Sequence, residues 1–368
     1  MGHMIEDKLK ELKAIFAQRL QNARKMRGLS QAQLAERLNG VVTSTAIEKY
    51  EKGEMMPRSS ATMVALAEAL NTRVDDLLRP FNVLVDCSKF EFRKKAKLGK
   101  KAIEAIKLTI QLRIDKYLQI ERIAGEEQPY DISMFNTHVV NEEDARRLAI
   151  DIRKEWELGM GPISQPIQVL ESKGVKVIEV NIDADPSLFD GTSNMVEGIP
   201  VLVINKASTD EERKRLTLFH EFGHQVMKFN EDISDKMKET LCNVFANEML
   251  LPSETFHALF GSKRQIIANF ELADVRREYG ISIPAIMMKA KQLGVVNESR
   301  YRWFCIQSRK QGPFQAFVNE SVAEPMHTTR FERLVYRCLS NETISTSFAA
   351  NMLNISVGEV ISNYGYEM

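Results

Sequence analysis

Residues 216–229 read LTLFHEFGHQVMKF, two histidines four apart with a glutamate directly after the first. The wider stretch DEERKRLTLFHEFGHQVMKF (210–229) repeats Leu216, Phe219, Phe222, Val226 and Phe229 at helical spacing, with acidic residues where a first turn falls. On such a helix His220 and His224 lie one turn apart on one face, so both imidazoles can converge on one ion. Glu221 is offset by about 100° and can reach a water beside that ion instead of the ion itself. Gly223 is expected to remove bulk where a site must stay open. The competing reading is two core histidines, each bonded to a carbonyl. Burying two imidazoles and a carboxylate side by side with no ion is costly.

Zinc needs a third protein ligand and one open position for water. His257 and His327, the two histidines downstream, sit in no supporting pattern. DKMKETLCNVFANEMLLP (235–252) is better: Glu239 and Asn243 are four apart on one face, and Met237, Leu241, Val244 and Phe245 are expected to pack other faces. A carboxylate ligand with an amide one turn later makes a working pair, because Asn243 can orient a ligating imidazole through its ring N–H. Glu248, Asp232 and Asp235 are rivals to Glu239. Tyr279, His257 and Tyr301 are candidates for stabilising an oxyanion.

Upstream, GVKVIEV (174–180) and IPVLVIN (199–205) are β-branched apolar runs that predict strands. Between them NIDADPSLFDGTSNMVEG (181–198) reads as a polar loop. The expectation is a small antiparallel sheet whose edge could hold an extended peptide by strand addition. Downstream, YRWFCIQSRKQGPFQAFVNESV (301–322) reads as strands or loop. The segment 330–365 reads as helices, with a helix-turn-helix-like STSFAANMLNISVGEV at 345–360.

The front of the chain holds five short helical signals in about 65 residues. FAQRLQNARKMRG (16–28) spaces Phe16, Leu20, Ala23 and Met26 helically and stops on Gly28. SQAQLAERL (30–38) starts on Ser30 as N-cap, and VTSTAIEKYEKG (42–53), RSSATMVALAEALN (58–71) and RVDDLL (73–78) follow. The turn at Asn39–Gly40 makes a helix-turn-helix, whose second helix enters the major groove. Its exposed positions are Thr43, Ser44, Thr45, Glu48 and Lys49, and Gln31 has the reach for a phosphate or base. On helices alone, a protein-binding module is the alternative. The basic stretch 92–125 follows, with Leu98, Ile103, Ile106, Ile110, Ile114 and Leu118 near helical spacing. It could dimerise, brace the two halves, contact phosphates or be a solvated linker.

The 368 residues suit two or three domains, and 44% apolar with 27% charged residues is a globular composition. The opening MGHM reads as a cloning remnant, with Met4 as the natural start. There is no membrane-length apolar run and no signal peptide, and the four cysteines have no paired spacing, so a cytoplasmic protein is expected. A net charge of zero hides an asymmetry: residues 1–122 carry 24 Lys and Arg against 15 Asp and Glu, a net of +9, and the remainder a net of −9. That places a nucleic-acid footprint at the front only.

Two resemblances follow from these motifs. LSQAQLAERL…TSTAIEKYEKGEMMPRSSATMVALAEAL…VDDLL resembles the XRE (Cro/phage-repressor type) helix-turn-helix from end to end. That resemblance implies a homodimer on a palindromic double-stranded DNA operator. ERKRLTLFHEFGH followed by ETLCNVFANEMLLP is similar to the ImmA/IrrE family of zinc metallopeptidases, with Cys242 where alanine is commoner. It extends over about residues 135–300, through LADVRREYGISIPAIMMKAKQLGVV. It implies His220, His224 and Glu239 as Zn2+ ligands, Glu221 as the base, and a helix-turn-helix repressor as protein substrate.

The expected fold is mainly α with a small α+β part. It comprises a five-helix DNA-binding domain (4–79), a basic helical linker (80–130), a zincin-like metallopeptidase core with a small sheet (131–300) and a C-terminal helical interaction element (301–368). The expected function is a transcriptional regulator with a built-in zinc endopeptidase that cleaves a repressor-type protein, or itself, in a stress, mobile-element or phage-defence response. The alternative is a repressor or antitoxin-like regulator whose peptidase fold senses a ligand or partner without catalysis.

Overall fold

Three of the early helices begin on a polar cap and bury apolar residues. The computed structural model describes residues 2–81, 90, 99–127, 130, 137–181 and 189–365. The first five helices are α1 (Gly2–Met26), α2 (Gln31–Arg37), α3 (Ser44–Glu51), α4 (Ser60–Ala69) and α5 (Val74–Leu78). α1 starts fourteen residues earlier than the apolar pattern from Phe16 suggests. Ser30, Thr43 and Ser59 each accept the backbone N–H three residues on, satisfying a donor the helix leaves free. Phe16, Leu20, Leu34, Ile47, Leu66 and Leu77 form the core beneath. The α2–α3 turn uses Asn39 (φ 49°) and Gly40 (φ 82°), residues that enter the left-handed region at least cost. The Arg24 guanidinium grips both Glu51 oxygens at 2.5 and 2.8 Å, tying α1 to the end of α3.

α6 (Lys100–Ala124) is a spine and not a solvated linker. Ile106, Ile110, Ile114 and Leu118 sink onto the sheet with Val180, Val201 and Val203, while Ile120 faces the C-terminal helices. α1 lies against it. Leu98 and most of the lysine-rich start of that stretch lie outside the described residues.

The next unit runs β1 (Thr137–His138), α7 (Glu142–Glu155), α8 (Pro166–Ser172), β2 (Lys176–Val180), β3 (Gly191–Val196), β4 (Ile199–Asn205), α9 (Glu211–Val226), β5 (Met227–Lys228), α10 (Asp235–Leu250), α11 (Ser253–Phe260), α12 (Asn269–Tyr279) and α13 (Ile283–Gln292). The sheet is mixed, not antiparallel. Its order is β2-β4-β3, with β2 parallel to β4 and β3 antiparallel to β4. β3 falls inside the stretch that reads as a polar loop, because GTSNMV is an edge strand with few β-branched residues. Its hairpin to β4 turns on Glu197 (φ 50°) and Gly198 (φ 79°), two left-handed residues in a row that suit the strands' twist. α9 packs on β3 and β4 with one side and on α10 with the other, and α10 packs in turn on α7. Phe219, Phe222, Leu241, Phe245 and Met249 fill that core.

Residues 301–322 hold two helices joined by a turn, and no strand: α14 (Glu298–Gln307) is capped by Asn297, and α15 (Pro313–Asn319) begins on a proline. Phe304 and Val318 hold them to the core. α16 (Arg330–Ser340), α17 (Thr346–Leu353) and α18 (Val357–Tyr364) close the chain over Ile120 of α6. No helix among the described residues is long and apolar enough to cross a membrane.

Candidate metal centre and nucleic-acid face

α9 presents His220 and His224 toward α10, and the rings meet edge to face with centroids 4.9 Å apart. Their Nε2 atoms lie 3.2 Å from each other. Across from them, the Glu239 carboxylate places one oxygen 3.5 Å from His220 Nε2 and the other 3.5 Å from His224 Nε2. One ligand atom from each of the three falls within 4.8 Å of the others. Two imidazoles and a carboxylate converging in this way are a donor set that zinc accepts, with a fourth position for solvent or substrate. The residues fit the ion.

The rivals are engaged elsewhere. Glu248 is buried, bonded to Lys289 Nζ at 2.5 Å and to the Ser253 N–H at 2.6 Å. Asp235 is almost fully exposed beside Lys238, and Asp232 is exposed. Met237 is also exposed, at 44%, although its spacing suggests packing.

The partners of the ring nitrogens are supplied by α10. Asn243 Oδ1 lies 3.0 Å from His220 Nδ1, and Cys242 Sγ lies 3.3 Å from His224 Nδ1. Glu221 points away from the α10 side, toward β3. It is buried, and the Ser193 hydroxyl sits 2.9 Å from its Oε2 and 3.0 Å from its own backbone carbonyl. Gln225, one turn later, donates to the same hydroxyl oxygen at 2.8 Å. Gly191 makes this approach possible: a Cβ there would stand 2.9 Å from Val203 O and 3.3 Å from Glu221 Cγ. Gly223 does not open the site, contrary to the sequence reading. Its missing side chain lets α9 close on α10, since a Cβ would meet Phe245 Cδ1 at 3.0 Å and Met227 Cε at 3.1 Å.

The three candidate oxyanion residues are occupied otherwise. Tyr279 is buried in the core, where burial pushes its hydroxyl pKa up. His257 is exposed and faces Gly261 O at 3.3 Å, and Lys291 stands 5.0 Å over the Tyr301 ring.

At the other end, α3 shows Ser44, Thr45, Glu48 and Lys49 to solvent, with Ile47 and Tyr50 inward. Thr43 is exposed too, with its hydroxyl capping the helix at Ala46 N. Glu48 pairs with Lys52 at 2.6 Å, and the Lys52 ammonium holds its carboxyl below the usual range. Gln31 is less free than its position suggests, because its amide donates to Glu51 at 2.8 Å.

Two family models match these two regions. Residues 20–77 match a helix-turn-helix model, and residues 170–291 match a peptidase-family model described as the IrrE N-terminal-like domain. The chain is a helix-turn-helix domain fused to an IrrE-like peptidase domain. No curated protein matches it. The IrrE-like domain contains all three clustered donors and Glu221, and the helix-turn-helix domain contains α2 and α3.

Sequence reasoning missed Ser193 and gave Cys242 no chemical part. A lone serine in a polar stretch has no local signal, and only the pairing of β3 with β4 aims it at Glu221. For Cys242 the signal was present: it lies three residues after Glu239, so it also lies on the side of α10 facing the histidines.

Proposed function

We propose that this fusion is a DNA-binding transcriptional regulator whose IrrE-like domain is a zinc endopeptidase that cleaves a repressor-type protein. The observation that carries the reading is the converging donor cluster of His220, His224 and Glu239, in one chain with an exposed recognition helix. His220, His224 and Glu239 would hold the zinc, which supplies Lewis acidity at the scissile carbonyl. Glu221 takes the proton of the attacking water on its carboxylate and delivers it to the leaving amine nitrogen. Ser193 and Gln225 fix that carboxylate in place. Among the described residues β3 pairs on one side only, so its open edge can hold an extended substrate segment by strand addition. Thr43, Ser44, Thr45, Glu48 and Lys49 on α3, with Gln31 on α2, face the operator as a homodimer binds it.

A separate repressor is favoured over self-cleavage, and relief of repression is the outcome. The test compares cells carrying wild-type protein or Glu221→Gln. Mass spectrometry should find cleavage products of a helix-turn-helix repressor in the first only, with zinc content and DNA binding equal in both. Normal derepression in the Glu221→Gln strain would replace this reading with that of a sensor that performs no proteolysis.

A further inference from the structure

Cys242 occupies a position that the proposed chemistry leaves unexplained. It is fully buried and in no disulfide, and its sulfur lies 3.3 Å from Nδ1 of His224. The other nitrogen of that ring, Nε2, points the opposite way, 3.5 Å from Glu239 and 3.2 Å from His220 Nε2. A neutral imidazole that offers Nε2 to a metal keeps its proton on Nδ1, so the neighbour there must accept a hydrogen bond. A cysteine sulfur is a weak acceptor, and it is correctly placed.

We propose that Cys242 is a positioning residue for metal binding. Its sulfur accepts the Nδ1–H of His224 and holds Nε2 of that ring toward Glu239. This rests on the reading of His220, His224 and Glu239 as zinc ligands. The same helix does the equivalent for the other histidine, where Asn243 Oδ1 stands 3.0 Å from His220 Nδ1. α10 therefore supplies one ligand, Glu239, and then two consecutive residues that set the two rings. Alanine at this position would leave His224 without the sulfur.

A packing function is the competing account, since α9 and α10 approach closely here: a Cβ on Gly223 would stand 3.6 Å from Cys242 Cα. Serine and alanine separate the two, because serine keeps an acceptor of nearly the same reach and alanine keeps none. The experiment titrates full-length wild type, Cys242→Ser, Cys242→Ala and His220→Ala with zinc against a chromogenic chelator. It also records the visible spectrum of each cobalt(II)-substituted protein and the melting temperature of each metal-free protein.

Removing an outer partner of a ligating histidine weakens metal binding by about 10- to 100-fold. Cys242→Ala should fall in that range with an altered cobalt spectrum, and Cys242→Ser should recover most of the affinity. Wild-type affinity and spectrum in Cys242→Ala would overturn the proposal. Equal losses in the serine and alanine variants, tracking the metal-free melting temperature, would also overturn it in favour of packing. Undiminished zinc binding in His220→Ala would instead remove the metal-centre reading itself, and this proposal with it.

Discussion

Glu239 and Asn243 show what one helical turn accomplishes. The carboxylate reaches both Nε2 atoms, while the amide four residues on stands behind His220. His220→Ala should abolish retention of zinc through dialysis, and Asn243→Ala should weaken it by about 10- to 100-fold. Zinc content unchanged in His220→Ala would end the assignment. This much was legible, because His-Glu-x-x-His and Glu-x-x-x-Asn are local spacings on helices. The contacts of Ser193 and Cys242 were not, since they depend on how α9 meets β3 and α10. A second residue-scale prediction concerns Glu171, buried beneath α6, where Tyr117 donates to it at 2.9 Å. Burial pushes its pKa up to about 7, against the opposing pull of that hydrogen bond. A carboxyl raised in the folded state binds its proton more tightly there than in the unfolded chain. Stability is therefore greatest while it is protonated, and declines as pH rises from its unfolded value of about 4.5 through about 7, by up to about 3 kcal/mol. Glu171→Gln should melt above wild type at pH 8 and close to it at pH 5. Equal melting curves at pH 8 would show that burial does not hold the proton there.

At the level of elements, the helices declared themselves through caps and stops, as at Ser30, Thr43 and the Asn39–Gly40 turn. β3 did not, because an edge strand laid under a helix needs a small residue and a turn more than β-branched side chains. α14 and α15 were hidden for the opposite reason: their aromatic residues mimic strand composition, and packing decided for helix. Gly191→Ala tests the β3 contact, since its Cβ would come within 2.7 Å of Thr217 Cγ2 and 2.9 Å of Val203 O. We expect a loss of about 1–3 kcal/mol in urea denaturation from that crowding. A variant as stable as wild type would mean that α9 does not sit so tightly on the strand. In α3, Thr43→Ala should cost about 1 kcal/mol through loss of the cap. Thr45→Ala with Lys49→Ala should instead leave stability alone and lower the preference for operator over random DNA. If that preference is unchanged while all binding still falls with added salt, α3 is not the reading element.

Across the whole molecule, the links are between residues far apart in the chain, and no local pattern announces them. Arg73, at the start of α5, donates to Ser347 O at 3.2 Å and Ile355 O at 2.9 Å. Lys116 of α6 donates to Asn351 O at 2.6 Å and faces Asp76 at 3.8 Å. On the far side, the irregular run before α16 crosses from the histidine helix to the spine. Val322 N donates to Glu212 at 2.8 Å, Met326 N to Glu211 at 3.2 Å and Thr328 N to Glu179 at 3.1 Å, and Arg330 pairs with Glu121. The helix-turn-helix domain is thus fastened to α6 and α17, and α6 is fastened to the body that carries the donor cluster. A ligand that binds only the folded state at 100 times its Kd adds about 2.7 kcal/mol of stability to whatever unfolds with its site. If the two domains unfold together, zinc should slow hydrogen exchange at the most protected amides of α4 as much as at those of α10. With Arg73→Ala and Lys116→Met combined, zinc should still protect α10 but no longer α4, since the DNA-binding helices could then open by themselves. Zinc-insensitive exchange at α4 in the wild-type chain would show that these contacts place the two domains without coupling them.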